Sequence, residues 1–145
     1  MNRAAKPSAL FVCVKNAGKS QMAAGLMRQI AGDTVQVYSA GTKPGTAVNT
    51  LSAEALSEVG VDITGQTPKL IDPQLVRDVD VVVTLGCEAR VEHIPGTCFE
   101  IWDTDEPSER GIDGIERVRL VRDDIAARVA DLNTRLRSRT AVHDE

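Results

Sequence analysis

The sequence predicts an α/β fold, a four-stranded parallel sheet with helices on both faces. Three observations lead there. Strand-like and helix-like segments alternate along the chain. The strand-like segments are apolar on both faces, as strands covered from two sides must be. No internal repeat or low-complexity linker interrupts the 145 residues, so 1–145 reads as a single domain. A chain of that length buries roughly two thirds of its unfolded surface.

Each element has a local cause. Ala9 to Val14 is a short apolar run with β-branched residues and reads as a buried strand. Gln21 to Ala31 follows as a helix, with Met22, Leu26, Ile30 and Ala23, Met27 spaced by four on its inner face, stopped by Gly32-Asp33. Thr34 to Ser39 is a second strand, and Gly41 and Pro44-Gly45 mark the loop after it. Ser52 to Val59 is a helix with Leu51, Ala55 and Val59 inward, stopped by Gly60. Pro73 to Asp78 is a short helix with Asp72 as N-cap and Pro73 at the first helical position. Val79 to Leu85 is the strongest strand signal, and Thr97 to Trp102 the fourth. Asp113 to Arg137 is a long amphipathic helix with Val118, Val121, Ile125, Val129 or Leu132, and Leu136 inward. Ser138 to Glu145 reads as a solvated tail.

Composition narrows the function. Hydrophobic residues make up 42% and charged residues 26%, as in a soluble globular protein. Only 3% are aromatic, which leaves no stacking platform for bases or sugars. A net charge of −4 argues against nucleic-acid and anionic-membrane partners. The N-terminal apolar run is too short for a secretion signal, and no run approaches the roughly 20 residues of a membrane span. Three cysteines, Cys13, Cys87 and Cys98, in such a chain point to a reducing cytoplasm and thiol chemistry rather than a disulfide framework.

In open parallel sheets the chemistry gathers beyond the carboxyl ends of the strands. Cys13 to Ser20, CVKNAGKS, lies there, between a strand and a helix. Its ending resembles the nucleotide loop G-x-x-x-x-G-K-S/T, but Cys13 stands where the first glycine belongs. No later strand ends in an aspartate that would organise a magnesium ion. Read from the cysteine, the segment is Cys-x5-Lys-Ser. Inward N–H groups from Val14 to Lys19 and a helix N-terminus suit a tetrahedral dianion and stabilise a thiolate beneath it. Lys19 brings a positive charge, Ser20 donates to the sulfur, and Asn16 braces the loop from inside. The competing reading of Cys13 is a core cysteine that merely ends a strand.

Four segments together resemble the low-molecular-weight protein tyrosine phosphatase superfamily, and within it the arsenate reductases. They are Cys13 to Ala23, Tyr38-Ser39-Ala40-Gly41-Thr42, Val81 to Leu85, and Trp102 to Pro107. The resemblance covers nearly the whole chain, in order, and implies that family's fold. It implies arsenate reductase activity: Cys13 attacks arsenic, water leaves, and a second thiol releases arsenite. The second thiol is mycothiol, with mycoredoxin, or Cys87, with thioredoxin. No metal and no tightly bound cofactor is implied. The oxyanion is arsenate, or the similar phosphate or sulfate, held by residues 14 to 19 with support from Asn16 and Ser39.

This chain departs from the family pattern in several places. Lys19 stands where most members have arginine, and a lysine cannot grip two oxygens side by side. A Gly-Lys-Ser ending resembles an actinobacterial, small-thiol branch. Glu106 occupies the position of the family's general acid, an aspartate, with Asp105 beside it; either carboxylic acid suits the protonation of a leaving oxygen. Ser108-Glu109 follow Pro107 where phosphotyrosine enzymes carry tyrosines, which favours a small inorganic oxyanion. Ala24 replaces the glutamate of the potassium site found in some relatives. Gly86 separates Cys87 from Thr84-Leu85, and Cys98, at the start of its strand, lies roughly 13 Å from the catalytic end. Cys98 is a candidate relay only if residues 87 to 98 refold. A zinc site of Cys87, His93 and Cys98 lacks the usual spacing. Two rival functions stay open, a tyrosine phosphatase and a non-catalytic oxyanion-binding or redox-sensing module.

Overall fold

A computed structural model describes residues 6–143, with side chains described through residue 138. Strands β1 (Ser8–Cys13), β2 (Gln36–Gly41), β3 (Val81–Leu85) and β4 (Cys98–Trp102) form one parallel sheet in the order β2-β1-β3-β4. Helices α1 (Lys19–Ala31), α2 (Thr50–Ser57), α3 (Pro73–Asp78) and α4 (Gly114–His143) connect and cover them, with a single 3-10 turn at Pro107–Arg110. The strand register brings Val12 beside Thr84 and Cys13 beside Gly41, so the ends of β1, β2 and β3 lie together.

Alternation along the central strands sorts their side chains into two cores. Ala9 and Phe11 of β1 and Val81, Val83 and Leu85 of β3 face α1, α2 and α4. Leu10, Val12 and Val82 face the opposite way, toward α3 and the segment around Ala89 to Ile94. Burial on both faces explains why these strands read as unbroken apolar runs.

The α4 stripe is as the periodicity predicts, and it uses both Val129 and Leu132. The helix runs on to His143, so Ser138 is helical rather than part of a tail; residues 144 and 145 lie outside the described residues. Asp72 caps α3 by accepting from the Gln74 N–H, with Pro73 in the first turn. Ile30 is 44% exposed, against expectation. A series spaced by four drifts by about 40° per step, and by the third member it has rotated off the buried face. Helix α2 begins earlier than expected, at Thr50, capped by Asn49. Its inner face is therefore Ser52, Ala55 and Leu56, and Leu51 and Val59 are exposed.

Ion pairs fasten α4 to the rest. Glu58, at the end of α2, accepts from Arg119 at 2.6 Å and from Arg122 at 2.9 Å. The Arg119 and Arg122 hydrogen bonds hold its carboxyl at about 2. Arg135 and then Trp102 hold Glu100 below the usual range, and Arg110 does the same for Asp105. Each folded value lies below the unfolded one, so the stabilisation is complete above the unfolded carboxylate range and is lost as pH falls. We expect a melting temperature that is level above about pH 5 and falls steadily from there toward pH 2. Scanning calorimetry across that range checks it; a melting temperature unchanged between those limits contradicts it.

Candidate functional site

The loop between β1 and α1 is shaped from outside. Its carbonyls are taken by N–H groups of the β2–α2 connection: Thr42 to Cys13, Lys43 to Val14, Gly45 to Lys15 and Asn49 to Ala17, at 2.7–3.2 Å. With the carbonyls turned outward, the N–H groups turn inward. Those of Lys15, Ala17 and Gly18 make no hydrogen bond among the described residues. Such a ring of N–H groups ahead of a thirteen-residue helix is an anion-binding concavity. Gly41 makes the close approach possible. A Cβ there would stand 2.7 Å from the Val14 carbonyl oxygen and 3.0 Å from the Asn16 nitrogen.

Asn16 braces the loop. It sits at φ +53°, a left-handed conformation that asparagine tolerates. Its Oδ1 accepts from the Lys69 N–H at 3.0 Å and from Gln21 Nε2 at 3.2 Å. The Lys69 N–H can only donate, which fixes the amide's orientation, so Nδ2 points to Ser20 Oγ at 2.7 Å. Ser20 Oγ is thereby an acceptor on that side, and its own hydrogen is left for the Cys13 sulfur, 2.9 Å away. The Asn16 N–H also points at that sulfur, at 3.2 Å. Two donors converge on Sγ, the arrangement a thiolate nucleophile uses. Asn16, Ser20 and Gln21 are fully buried, so this network is protected from water.

Ser39 does not join it. Its hydroxyl is buried on β2 and has no hydrogen-bond partner among the described residues. The bracing from the neighbouring elements comes instead from Gln21 and the Lys69 backbone. Neither was singled out from the sequence, although Gln21, one residue past Ser20 in the first turn of α1, was near enough to suspect.

The acidic segment after β4 is pinned by α4. Arg128 donates to the Asp103 carbonyl at 2.8 Å, and Asp124 accepts from the Asp105 N–H at 2.8 Å. This holds Glu106 over the loop, where Lys19 Nζ donates to its Oε2 at 2.6 Å. Asp105 turns the other way and takes both prongs of Arg110, at 2.9 and 3.1 Å. That pairing holds its carboxyl below the usual range.

The cysteines are dispersed. Cys13 is buried, whereas Cys87 and Cys98 are exposed. Cys87 follows Gly86, whose φ is +93°, and lines a groove with Thr84, Arg90, His93 and Ile101. Cys98 pairs with Val81, at the end of the sheet away from the loop. His93 stacks on Phe99, with ring centroids 4.2 Å apart.

Comparison with known proteins agrees with this geometry. Residues 8–142 match the family described as low molecular weight phosphotyrosine protein phosphatase. Arsenate reductase 2 of Staphylococcus epidermidis is 36% identical over 133 residues, covering 90% of this chain and 98% of the relative. An arsenate reductase of Staphylococcus aureus is 38% identical over 117 residues, covering 79% and 88%. Among solved structures, a thioredoxin-dependent arsenate reductase of Corynebacterium glutamicum superposes with a TM-score of 0.77 at 34% identity. The match covers 91% of this chain but 62% of that one, so this chain spans less than two thirds of that protein's length. An arsenate reductase in its phosphate-binding state superposes with a TM-score of 0.76 at 30% identity, covering 90% and 98%. The family match takes in the whole sheet, the cysteine loop and nearly all of α4, and this chain belongs to the low molecular weight phosphotyrosine protein phosphatase family.

Proposed function

We propose that this chain is an arsenate reductase. The observation that carries the reading is the buried Cys13 sulfur, with the Asn16 N–H and the Ser20 hydroxyl directed at it beneath a ring of inward N–H groups. Arsenate seats in residues 14 to 19, and the Cys13 thiolate attacks arsenic. A hydroxyl of the arsenate leaves as water, with the proton supplied by Glu106. Anion binding draws Lys19 into the loop and frees Glu106 to take up that proton. Asp105 is poorly suited to the task, because Arg110 keeps it ionised.

The thiolate of Cys87 then attacks the Cys13 sulfur. The sulfur–arsenic bond breaks with its electron pair moving to arsenic, which passes from the pentavalent to the trivalent state. Arsenite leaves, and a Cys13–Cys87 disulfide remains for thioredoxin to reduce. Support comes from β3 lying beside β1 and from the thioredoxin dependence of the Corynebacterium relative. Cys98, at the opposite end of the sheet, has no part in this scheme. The reaction belongs in the cytoplasm, where thioredoxin and small thiols are kept reduced. Among the described residues no helix is long and apolar enough to cross a membrane.

Cys87→Ser tests the second half. With thioredoxin and its reductase, the variant loses steady-state arsenite production. If it keeps the wild-type rate with thioredoxin, Cys87 is not the resolving thiol. If instead mycothiol with mycoredoxin sustains both proteins equally, a small thiol performs that attack. Arsenite release itself, dependent on added thiols, tests the first half.

A further inference from the structure

Of the loop's two lysines, Lys15 is exposed and Lys19 already donates to Glu106 at 2.6 Å. Beside it, a cleft of about 220 Å³ opens against the loop. Lys15, Gly18 and Lys19 form one side, Asn49 and Ser52 of α2 another, and Arg117 of α4 the third. Among the described residues no carboxylate lines it.

Arg117 stands apart from its neighbours on α4. Arg119, Arg122, Arg128 and Arg135 are each held in an ion pair. The Arg117 Nε–H is instead buried without a hydrogen-bond partner among the described residues. A buried charged donor left in that state is costly, and the cost is relieved when an acceptor arrives. The cleft's three cations make that acceptor an anion, and the cleft shares its wall with the anion loop.

We propose that Arg117 is an anion-clamping residue, its guanidinium reaching from α4 to the oxygens of the tetrahedral oxyanion in the 13–20 loop. It supplies the planar, two-pronged donor that Lys19, a point charge, does not. The inference rests on the oxyanion reading above and adds a specificity residue to it. In the resting protein Lys19 and Glu106 neutralise each other, and Arg117 holds the positive potential at the loop's edge. A dianion seated in the loop gains two parallel charge-assisted hydrogen bonds from it.

Titration calorimetry with inorganic phosphate, on the full chain and on Arg117→Gln, Arg117→Met and Arg117→Lys, tests this. We expect phosphate to bind Arg117→Gln about tenfold or more weakly, the loss typical of a charged hydrogen bond. The KM for arsenate rises in parallel while kcat changes less, and Arg117→Lys recovers part of the affinity. Arg117→Met keeps the aliphatic stem and carries the test if the glutamine variant does not fold. Wild-type affinity in both neutral variants overturns the proposal. Full recovery in Arg117→Lys overturns the two-pronged clamp, because a point charge then suffices. If the unaltered chain itself fails to bind phosphate, the oxyanion reading fails with it, a result distinct from the first.

Discussion

Cys13→Ser abolishes arsenate turnover while the chain stays folded and still binds phosphate. The hydroxyl replaces a sulfur whose surroundings are already supplied with donors: the Asn16 N–H and the Ser20 hydroxyl both accommodate an oxygen. Stability therefore changes by no more than about 1 kcal/mol. The chemistry does not survive. A serine hydroxyl is a weak nucleophile without an adjacent base, and among the described residues the groups bonded at this position are the Ser20 hydroxyl and the Asn16 N–H, neither of them a base. An oxygen–arsenic adduct also offers no sulfur for a second thiol to attack, so the electron pair has no route to arsenic. We expect no measurable arsenite from Cys13→Ser, with near-wild-type phosphate affinity by calorimetry. Turnover at even a tenth of the wild-type rate would place the nucleophile elsewhere.

Asn16→Ala has the second-largest effect, and it strikes both stability and rate. The side chain joins the buried Ser20 and Gln21 to the partly buried Lys69 backbone N–H. Removing it leaves the partly buried Lys69 N–H without its acceptor, at about 1–3 kcal/mol, whereas Gln21 Nε2 keeps the Asn16 backbone carbonyl at 3.2 Å. Alanine at φ +53° adds about 1 kcal/mol of backbone strain. The expected loss is about 2–4 kcal/mol by denaturant unfolding. Ser20 also loses the donor that fixes its orientation, so its hydrogen is no longer committed to the Cys13 sulfur. A rate loss of about 10²–10³-fold follows, the scale seen when one donor of a preorganised electrostatic site is removed. Asn16→Asp separates the two effects. It keeps the acceptor toward Lys69 but loses the donor toward Ser20, so it should recover stability better than rate. Equal recovery of both contradicts the assignment of hydrogens along Asn16, Ser20 and Cys13.

Much of this site was legible because its chemistry is local. Cys13, Asn16, Lys19 and Ser20 fall within eight residues, between an apolar strand and an amphipathic helix. A loop in that place has few physical options, and the anion concavity is one of them. The sheet was legible for a similar reason: β1 and β3 are buried on two faces and carry no polar alternation to mislead. What escaped notice depends on contacts between distant parts of the chain. The Lys69 N–H reaches Asn16 across 53 positions, and no local pattern marks it. Arg117 reads as one of several arginines on the outside of α4, and only the fold brings it to the loop's edge. Asp105 and Glu106 are neighbours in sequence with equal claims to act as the acid. Arg110 and Lys19 separate them, one held in a surface pair and the other set above the loop. The misplaced inner faces of α1 and α2 have a geometric cause. Spacing by four drifts around a helix, and α2 starts two residues earlier than its expected start at Ser52, with Ser52, Ala55 and Leu56 inward.

The segment after Pro107 bears on the choice between a phosphatase and a reductase. Either reaction uses a protonated acid over the loop, so Glu106 does not separate them. Ser108 and Glu109 stand where an aryl ring would need an aromatic wall. That favours a small inorganic oxyanion that reacts through thiol chemistry over one that leaves an aryl alcohol.

The central claim is that Cys13 forms a sulfur–arsenic bond that a thiol resolves to arsenite. The most direct test is steady-state product release by the unaltered chain, with arsenate plus thioredoxin and its reductase in one assay and an aryl phosphate without thiols in another. Our account predicts thiol-dependent arsenite release and only slow aryl phosphate hydrolysis. Rapid aryl phosphate hydrolysis with no arsenite formed would contradict it.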